Sequence, residues 1–434
     1  MEFQEVIANR RDGRGNSQIE LEMVARGAAD GSVPDYQLSA WLMAAYLKPL
    51  NADETAWLTI AMADSGDRLD LTGLPKPWVD KHSTGGVGDK TSLILLPLLA
   101  SCGMTIVKMS GRGLGITGGT VDKLESVPGF RMNLTPDELK AQAKSIGLAI
   151  TGQTASLAPA DKTLYALRDV TATVDSIPLL VSSIMSKKLA GGAEMVVLDV
   201  KCGSGGFMAD LDGATKLAKA LIETGKRAGL PAHVAITDMS QPLGRMVGNL
   251  LEVKEAAHVL RGGRGRVADL CVRLAAHSLV AAKLASTEEQ GTKMAEAALA
   301  SGQALKRAKE WFAAQGATVD VFEHPEALSV APVRLNVKNP QGKGWVHRID
   351  ARTVGEVVVA LGGGREKKDD KIDPTVGVVC LKSVGDKVAP DEEMFTVHAA
   401  DIRSAEQAAT HLLAGVSVMK SAKYAPPLIL KVLP

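Results

Sequence analysis

The run MVVLDVK, Met195 to Lys201, decides the fold class, because it is short, apolar and β-branched and has helical pattern beside it. Two other runs share this character: MTIVKMS at residues 104–110 and PAHVAITD at residues 231–238. Strand candidates that alternate with helices imply an α/β fold with a mixed, largely parallel sheet.

Upstream, the chain to about Ala63 reads as helical. In SVPDYQLSAWLMAAYLKPL, Pro34 and Asp35 signal a helix start, and Leu38, Trp41, Leu42 and Ala45 fall on one face. A Gly/Pro/Asp-rich link, SGDRLDLTGLPKP, separates these helices from the α/β part. Between the first two strand candidates, TPDELKAQAKSIG carries a capping box, with Thr135 as N-cap, Pro136 first in the helix, Glu138 at N3 and Gly147 closing it. SIPLLVSSIMSKKLAGG is a second helix, ending in Lys187 and Lys188 before the stop at Gly191 and Gly192. Beyond about Asn336 short strands and tight turns predominate, as in a small α+β appendage.

With 434 residues, 46% of them hydrophobic, the chain is long enough for two or three domains. Its 50 Lys and Arg against 49 Asp and Glu give no overall field for nucleic acid or an anionic membrane, so any anion site is local. Cys102, Cys202, Cys271 and Cys380 form no C-x-x-C pair, which argues against a zinc site or a disulfide framework and fits a reducing cytoplasm. The N-terminus lacks an apolar h-region, and no run approaches the roughly 18 apolar residues of a spanning helix. The expectation is a soluble cytoplasmic protein with neither membrane nor nucleic acid as partner.

Two glycine-rich segments concentrate donors. VDKHSTGGVGDK, residues 79–90, fails as a phosphate-binding Walker loop because Asp89 stands between Gly88 and Lys90. The G-x-G-x-x-G at Gly113, Gly115 and Gly118 follows a strand, but the helix expected after it is cut short by Pro128 and Gly129. Both segments still suit an anion, since glycines admit close backbone approach and helix N-termini carry partial positive charge. A helix over Thr91–Ser101, with Pro97 inside, puts Ser92 in its first turn. Lys81 and Lys108 supply charge, while Ser83, Ser92, Ser110 and Thr120 supply hydroxyl donors, a number that suits one phosphate. Polar glycine-rich turns are also common in any α/β protein, so the residues alone leave both readings open.

A second set is Arg168, Ser183 and Lys187. Ser183 and Lys187 are one helical turn apart, and guanidinium, hydroxyl and ammonium together could read a heterocycle's carbonyl and ring nitrogen. On spacing alone the bland alternative is the stronger: Lys187 and Lys188 as solvated complements to the helix dipole, and Arg168 with Asp169 as a surface ion pair.

SGRGLGITGGTVDKLES, Ser110 to Ser126, closely resembles the signature of the thymidine and pyrimidine-nucleoside phosphorylases. VDKHSTGGVGDK, GQTASLAPADKTLYALRDVTATVDSIPLLVSSIMSKKLA and LDVKCGSGGFM look like the same family in the same order and spacing. The resemblance implies a small all-helical domain (1–66 with 160–190) on the pyrimidine side and a large α/β domain (70–156 with 193–335) on the phosphate side. It implies in addition a C-terminal α+β subdomain (336–434), a homodimer, and domain closure over hinges near 65–71 and 155–161.

The activity so implied is reversible phosphorolysis of pyrimidine nucleosides (thymidine, deoxyuridine, uridine) to free base and α-pentose 1-phosphate in pyrimidine salvage, with no organic cofactor. Carried over residue by residue, Lys81, His82, Ser83, Ser92, Lys108, Ser110 and Thr120 would hold phosphate. Arg168, Ser183 and Lys187 would read the base, with Asp161 in the cleft and Phe207 and Met208 as an apolar wall. His82 would either give a proton to the base O2 or orient the phosphate loop through its N–H. A potassium site is implied at Gly88, Lys90, Leu243, Met246 and Glu255, but relatives can have Thr at Lys90, where an ammonium would repel or replace a monovalent cation. The competing readings are a phosphoribosyltransferase of the related anthranilate type, which would need carboxylates for magnesium, and a non-catalytic nucleoside or phosphate sensor.

Overall fold

The structure is a computed structural model that describes residues 2–113, 115–116, 118–152, 156–365, 367 and 370–433. Four helices lead: α1 (Phe3–Arg11), α2 (Gln18–Asp30), α3 (Asp35–Leu47) and α4 (Ala52–Ala63). There follow β1 (Val79–Ser83), α5 (Thr91–Ser101), β2 (Ile106–Met109), α6 (Thr120–Glu125), α7 (Pro136–Ile146) and β3 (Leu148–Thr151). The chain then returns to the first helices with α8 (Pro159–Val170) and α9 (Ile177–Ala190) before β4 (Met195–Cys202), α10 (Leu211–Arg227), β5 (Ala232–Asp238) and β6 (Met246–Val247). Helices α11 (Asn249–Leu260), α12 (Arg266–Ala281), α13 (Glu288–Ala300) and α14 (Gln303–Ala314) complete the α/β part. The rest is β7 (Val333–Lys338), β8 (Gly344–Ile349), α15 (Ala351–Val358), β9 (Gly377–Cys380), β10 (Lys387–Val388), β11 (Glu393–Ala399), α16 (Ile402–Ala414), β12 (Val416–Met419) and β13 (Ile429–Leu433).

The helical unit packs α1–α4 with α8 and α9 around Leu21, Leu38, Trp41, Leu42, Leu58 and Leu164. Asn51 and Ser17 open α4 and α2 with complete capping boxes, each stabilising its helix by about 1 kcal/mol. The same device opens α7 at Thr135, and Gly147 ends that helix in the left-handed conformation.

The central sheet runs β1-β4-β5 in parallel, with the β2-β3 parallel pair beside β1 through the Trp78–Thr105 bridge. Helix α5 is apolar all round and its residues Thr91 to Ala100 are buried beneath the sheet, as such a helix must be. A separate cluster of α4, α9, α10, β4 and β5 side chains joins the helical unit to one face of the sheet.

Two strands pair across the segment boundaries read from the sequence. β13, assigned to the appendage, runs antiparallel to β5 at the edge of the central sheet, and β6 of the α/β part pairs with β9 in the antiparallel sheet β6-β9-β11-β7. Each unit thus lends a strand to the other. The edge of β5 offers unpaired backbone groups that ILKVL satisfies, however distant in sequence.

Candidate active site

Parallel strands β1, β2 and β4 end on one edge of the sheet, the place where open α/β sheets leave a crevice. β1 sends Asp80 and Lys81 to opposite faces, and both are buried, at 2% and 1% exposure. Lys81 Nζ donates to Thr91 Oγ1 at 2.6 Å and Ser92 Oγ at 3.3 Å. Among the described residues no carboxylate pairs with it directly. Asp89 accepts from Thr91 Oγ1 at 2.6 Å and from Ser83 Oγ. Burial works against its charge, but the ammonium groups of Lys201, Lys81 and Lys123 hold its carboxyl well below the usual range.

On the other face, Asp80 takes Lys188 Nζ at 2.7 Å and Lys108 Nζ at 3.6 Å, so one carboxylate serves two cations. Lys108 Nζ also donates to the Lys81 carbonyl at 2.6 Å. Burial, with Lys188 close by, pushes Lys108 down to about 7. Lys201 pairs with Asp199 at 2.6 Å, and Lys123 with Glu252 at 2.9 Å. Together with Lys187–Asp161, the cluster is one negative charge short. A buried excess cation is costly, and an incoming anion relieves it.

The second glycine-rich segment folds back on itself. Gly113 N donates to Asp122 Oδ2 at 2.7 Å, and a side chain at Gly119 would put its Cβ 2.1 Å from Gly113 N. Ser110 directly follows β2 and Thr120 is first in α6, and both are half-buried. Lys123 Nζ donates to Asp89 O at 2.8 Å and Gly118 O at 3.0 Å, tying the two glycine-rich segments together. Leu114 and Thr117 of this segment lie outside the described residues.

The helical wall is organised differently. Lys187 Nζ meets Asp161 Oδ2 at 2.5 Å and Ser183 Oγ at 3.0 Å, so the three side chains form a paired, prearranged group. Burial lowers Lys187 and Asp161 opposes that effect. Arg168 is 2% exposed and donates to the carbonyls of Thr173 (3.2 Å), Leu179 (3.0 Å) and Val174 (2.6 Å). The surface ion pair with Asp169 and the solvated lysine pair are therefore not what forms: Arg168 holds the α8–α9 turn, and Lys187 and Lys188 face opposite domains. Phe207 and Met208 sit half-buried in the turn after β4, where Met208 O accepts from Gly203 N at 2.8 Å.

His82 stands between the walls. Burial lowers its imidazole well below the usual 6.5, and Lys188, Lys108, Lys187 and Lys81 act in the same direction. In the ligand-free protein it is therefore a neutral N–H donor near neutrality. Backbone hydrogen bonds tie the chain crossings between the units: Asp67 N donates to Ser156 O at 2.7 Å, and Leu69 N to Ala190 O at 2.8 Å. Gly192, at φ +76°, lets Leu69 O approach to 2.3 Å of where a Cβ would be. Ala155, at the edge of one expected hinge, lies outside the described residues.

Of the residues implied for potassium, Lys90 places its own ammonium against Leu243 O, Met246 O and Glu255. Sequence reasoning missed Asp80, Asp89, Thr91, Asp122, Lys123 and Lys188. The available signal was the density of charge in runs otherwise apolar enough to be buried, since such charges must be paired.

Residues 4–66 match the family described as "Glycosyl transferase family, helical bundle domain", and residues 75–305 match "Glycosyl transferase family, a/b domain". Residues 345–418 match "Pyrimidine nucleoside phosphorylase C-terminal domain". The chain is 47% identical to the pyrimidine-nucleoside phosphorylase of Geobacillus stearothermophilus over 92% of each chain. It is 46% identical to the thymidine phosphorylase of Sinorhizobium fredii over 93% of this chain and 92% of that one. Anthranilate phosphoribosyltransferase from Thermus thermophilus shares the fold at 18% identity, with a TM-score of 0.60 over 71% of this chain and 99% of that one. On matches that span the chain nearly end to end, this protein belongs to the pyrimidine-nucleoside and thymidine phosphorylase family.

Proposed function

We propose that the chain catalyses the reversible phosphorolysis of pyrimidine nucleosides, thymidine, deoxyuridine and uridine among them, to the free base and α-pentose 1-phosphate. The observation that carries this reading is the cation cluster at the ends of β1 and β2, one counter-charge short and lined with hydroxyls, opposite the group on α8 and α9 whose cations are already held by Asp161 and by carbonyls. The first suits a phosphate and the second a neutral, polar ring. As the bond from C1′ to the base nitrogen breaks, positive charge grows on the sugar and negative charge on the base. A phosphate oxygen beneath C1′ and donors around the base both gain strength at that moment.

In this reading Lys81, Ser83, Ser92, Lys108, Ser110 and Thr120 hold the phosphate, and positioning of the nucleophile is worth several kcal/mol. Lys187 and Ser183 contact the base carbonyl and N3, with Asp161 fixing the ammonium. Arg168 keeps the donors not spent on the α8–α9 turn for the base. His82 donates its N–H toward the base O2 or the phosphate. A bound phosphate dianion offsets part of the field of Lys188, Lys108, Lys187 and Lys81 and so raises the proton affinity of His82, the direction a proton donor needs.

The chain works as a homodimer in the cytoplasm. Exposed Ile19, Tyr36 and Leu47 on α2 and α3 support a subunit contact there, and light scattering at twice the 45.5 kDa chain mass would bear it out. No helix among the described residues is long and apolar enough to cross a membrane. Base release from thymidine, uridine and deoxyuridine with and without phosphate tests the activity. Release only with phosphate, with one pentose 1-phosphate per base, is expected; phosphate-independent release or none contradicts it.

A further inference from the structure

Behind the first glycine-rich segment, Lys90 is fully buried at 0% exposure. Its Nζ donates to Leu243 O at 2.7 Å, Met246 O at 2.8 Å and Glu255 Oε2 at 2.7 Å. Three N–H groups thus meet three acceptors, and the ammonium is saturated. Glu255 is fixed in turn by the backbone N–H groups of Arg245 and Met246, each at 2.8 Å. Two carbonyls and one carboxylate are hard oxygen donors with a total charge of −1, the chemistry that holds a monovalent cation. The potassium ion implied by the resemblance therefore does not fit this chain as it stands, because the lysine nitrogen occupies the centre of its oxygens.

We infer that Lys90 is a built-in cation, so that this protein needs no dissociable monovalent cation for its fold or its turnover. The physical logic is local. Lys90 precedes the first turn of α5, next to Asp89 and Thr91, which organise Lys81 and Ser83. Met246 opens β6, which pairs with β9 of the C-terminal sheet. A cation here pins the anion-binding loop to the junction of the two sheets. Supplied by a side chain, it is present at any salt composition, whereas a free ion would stabilise only by an amount set by its concentration relative to its Kd.

The test follows the thermal midpoint of the full-length protein in tetramethylammonium chloride, titrated with KCl, NaCl or NH4Cl at constant ionic strength. Because the midpoint is read without turnover, its outcome is separable from that of the phosphorylase reading. For the wild type a flat titration, within about 1 °C, is expected. Lys90→Thr, which removes the ammonium and leaves a hydroxyl, should fall by roughly 5 °C or more and be restored saturably by potassium or ammonium. Lys90→Met fills the same volume without charge and should fall without any cation restoring it. A saturable rise of the wild-type midpoint with potassium overturns the inference. So does a Lys90→Thr protein that is as stable as wild type in the organic cation, or that no monovalent cation restores. If Lys90→Thr does not fold in tetramethylammonium, refolding from urea reads the same point: recovery with potassium alone supports the inference, and no recovery in either salt overturns it.

Discussion

The two walls of the cleft solve different electrostatic problems. At the ends of β1 and β2, Lys81 has only hydroxyl partners and Asp80 serves both Lys108 and Lys188, so positive charge is left over. On α8 and α9, Lys187 has its own carboxylate in Asp161 and Arg168 donates to carbonyls, so each cation already has acceptors in place and geometry is fixed. A site short of one counter-charge waits for an anion. A site whose cations already have acceptors can orient a neutral ring without drawing phosphate away from its place opposite.

The largest effect that would break this contrast is on the helical side. Lys187→Ala strands a buried Asp161 as well as removing a donor, and should lower kcat/KM for thymidine at saturating phosphate about 100-fold, close to 3 kcal/mol. The double variant Lys187→Met with Asp161→Asn restores the balance. Its thermal midpoint should recover while its rate stays low, and recovery of both would show that Lys187 acts on stability alone.

On the unbalanced side smaller and more selective losses are expected. Ser92→Ala and Ser110→Ala should each raise KM for phosphate roughly 5–10-fold, about 1 kcal/mol, with KM for thymidine nearly unchanged. Equal effects on both substrates would erase the distinction between the walls.

The same contrast has a pH signature. The unfolded imidazole of His82 takes a proton near 6.5 while the folded one stays neutral, so the ligand-free protein should lose stability as pH falls through 6.5. Lys108 titrates at about 7 in the folded protein and at 10.5 when unfolded. Between those values the unfolded chain binds the extra proton, so this group makes stability rise with pH. Sulfate keeps its charge across the range and favours the protonated lysine. The rise in thermal midpoint that sulfate produces should therefore shrink above pH 7, and a pH-independent rise would remove Lys108 from the anion site. His82→Asn, which keeps an N–H donor, separates the two roles open to the imidazole. It should cost about tenfold in kcat if the imidazole hands over a proton and little if it only orients the loop.

Much of this is legible in the sequence, because local rules suffice. β2 and β5 lie within runs that read as strands and β4 extends one residue beyond its run, α3 starts at Asp35, and α7 has the capping box written at Thr135. β1 does not read as a strand, since VDKHS is polar, and its burial depends on partners 10 to 108 residues away, from Thr91 to Lys188. β3, with four residues, is too short to show a period. Lys188 reads as a helix-end cation until Asp80 is placed beside it. β13 is understood only through its pairing with β5. What the sequence hides in each case is a non-local partner, which no period or cap records.

The most direct test of the account is a crystal structure with sulfate or phosphate and a pyrimidine base. The anion is expected among Lys81, Ser83, Ser92 and Ser110 and the ring against Lys187 and Ser183, close enough for attack at C1′. An anion bound instead at Lys187, or both walls left without ligand at concentrations that saturate turnover, would contradict it.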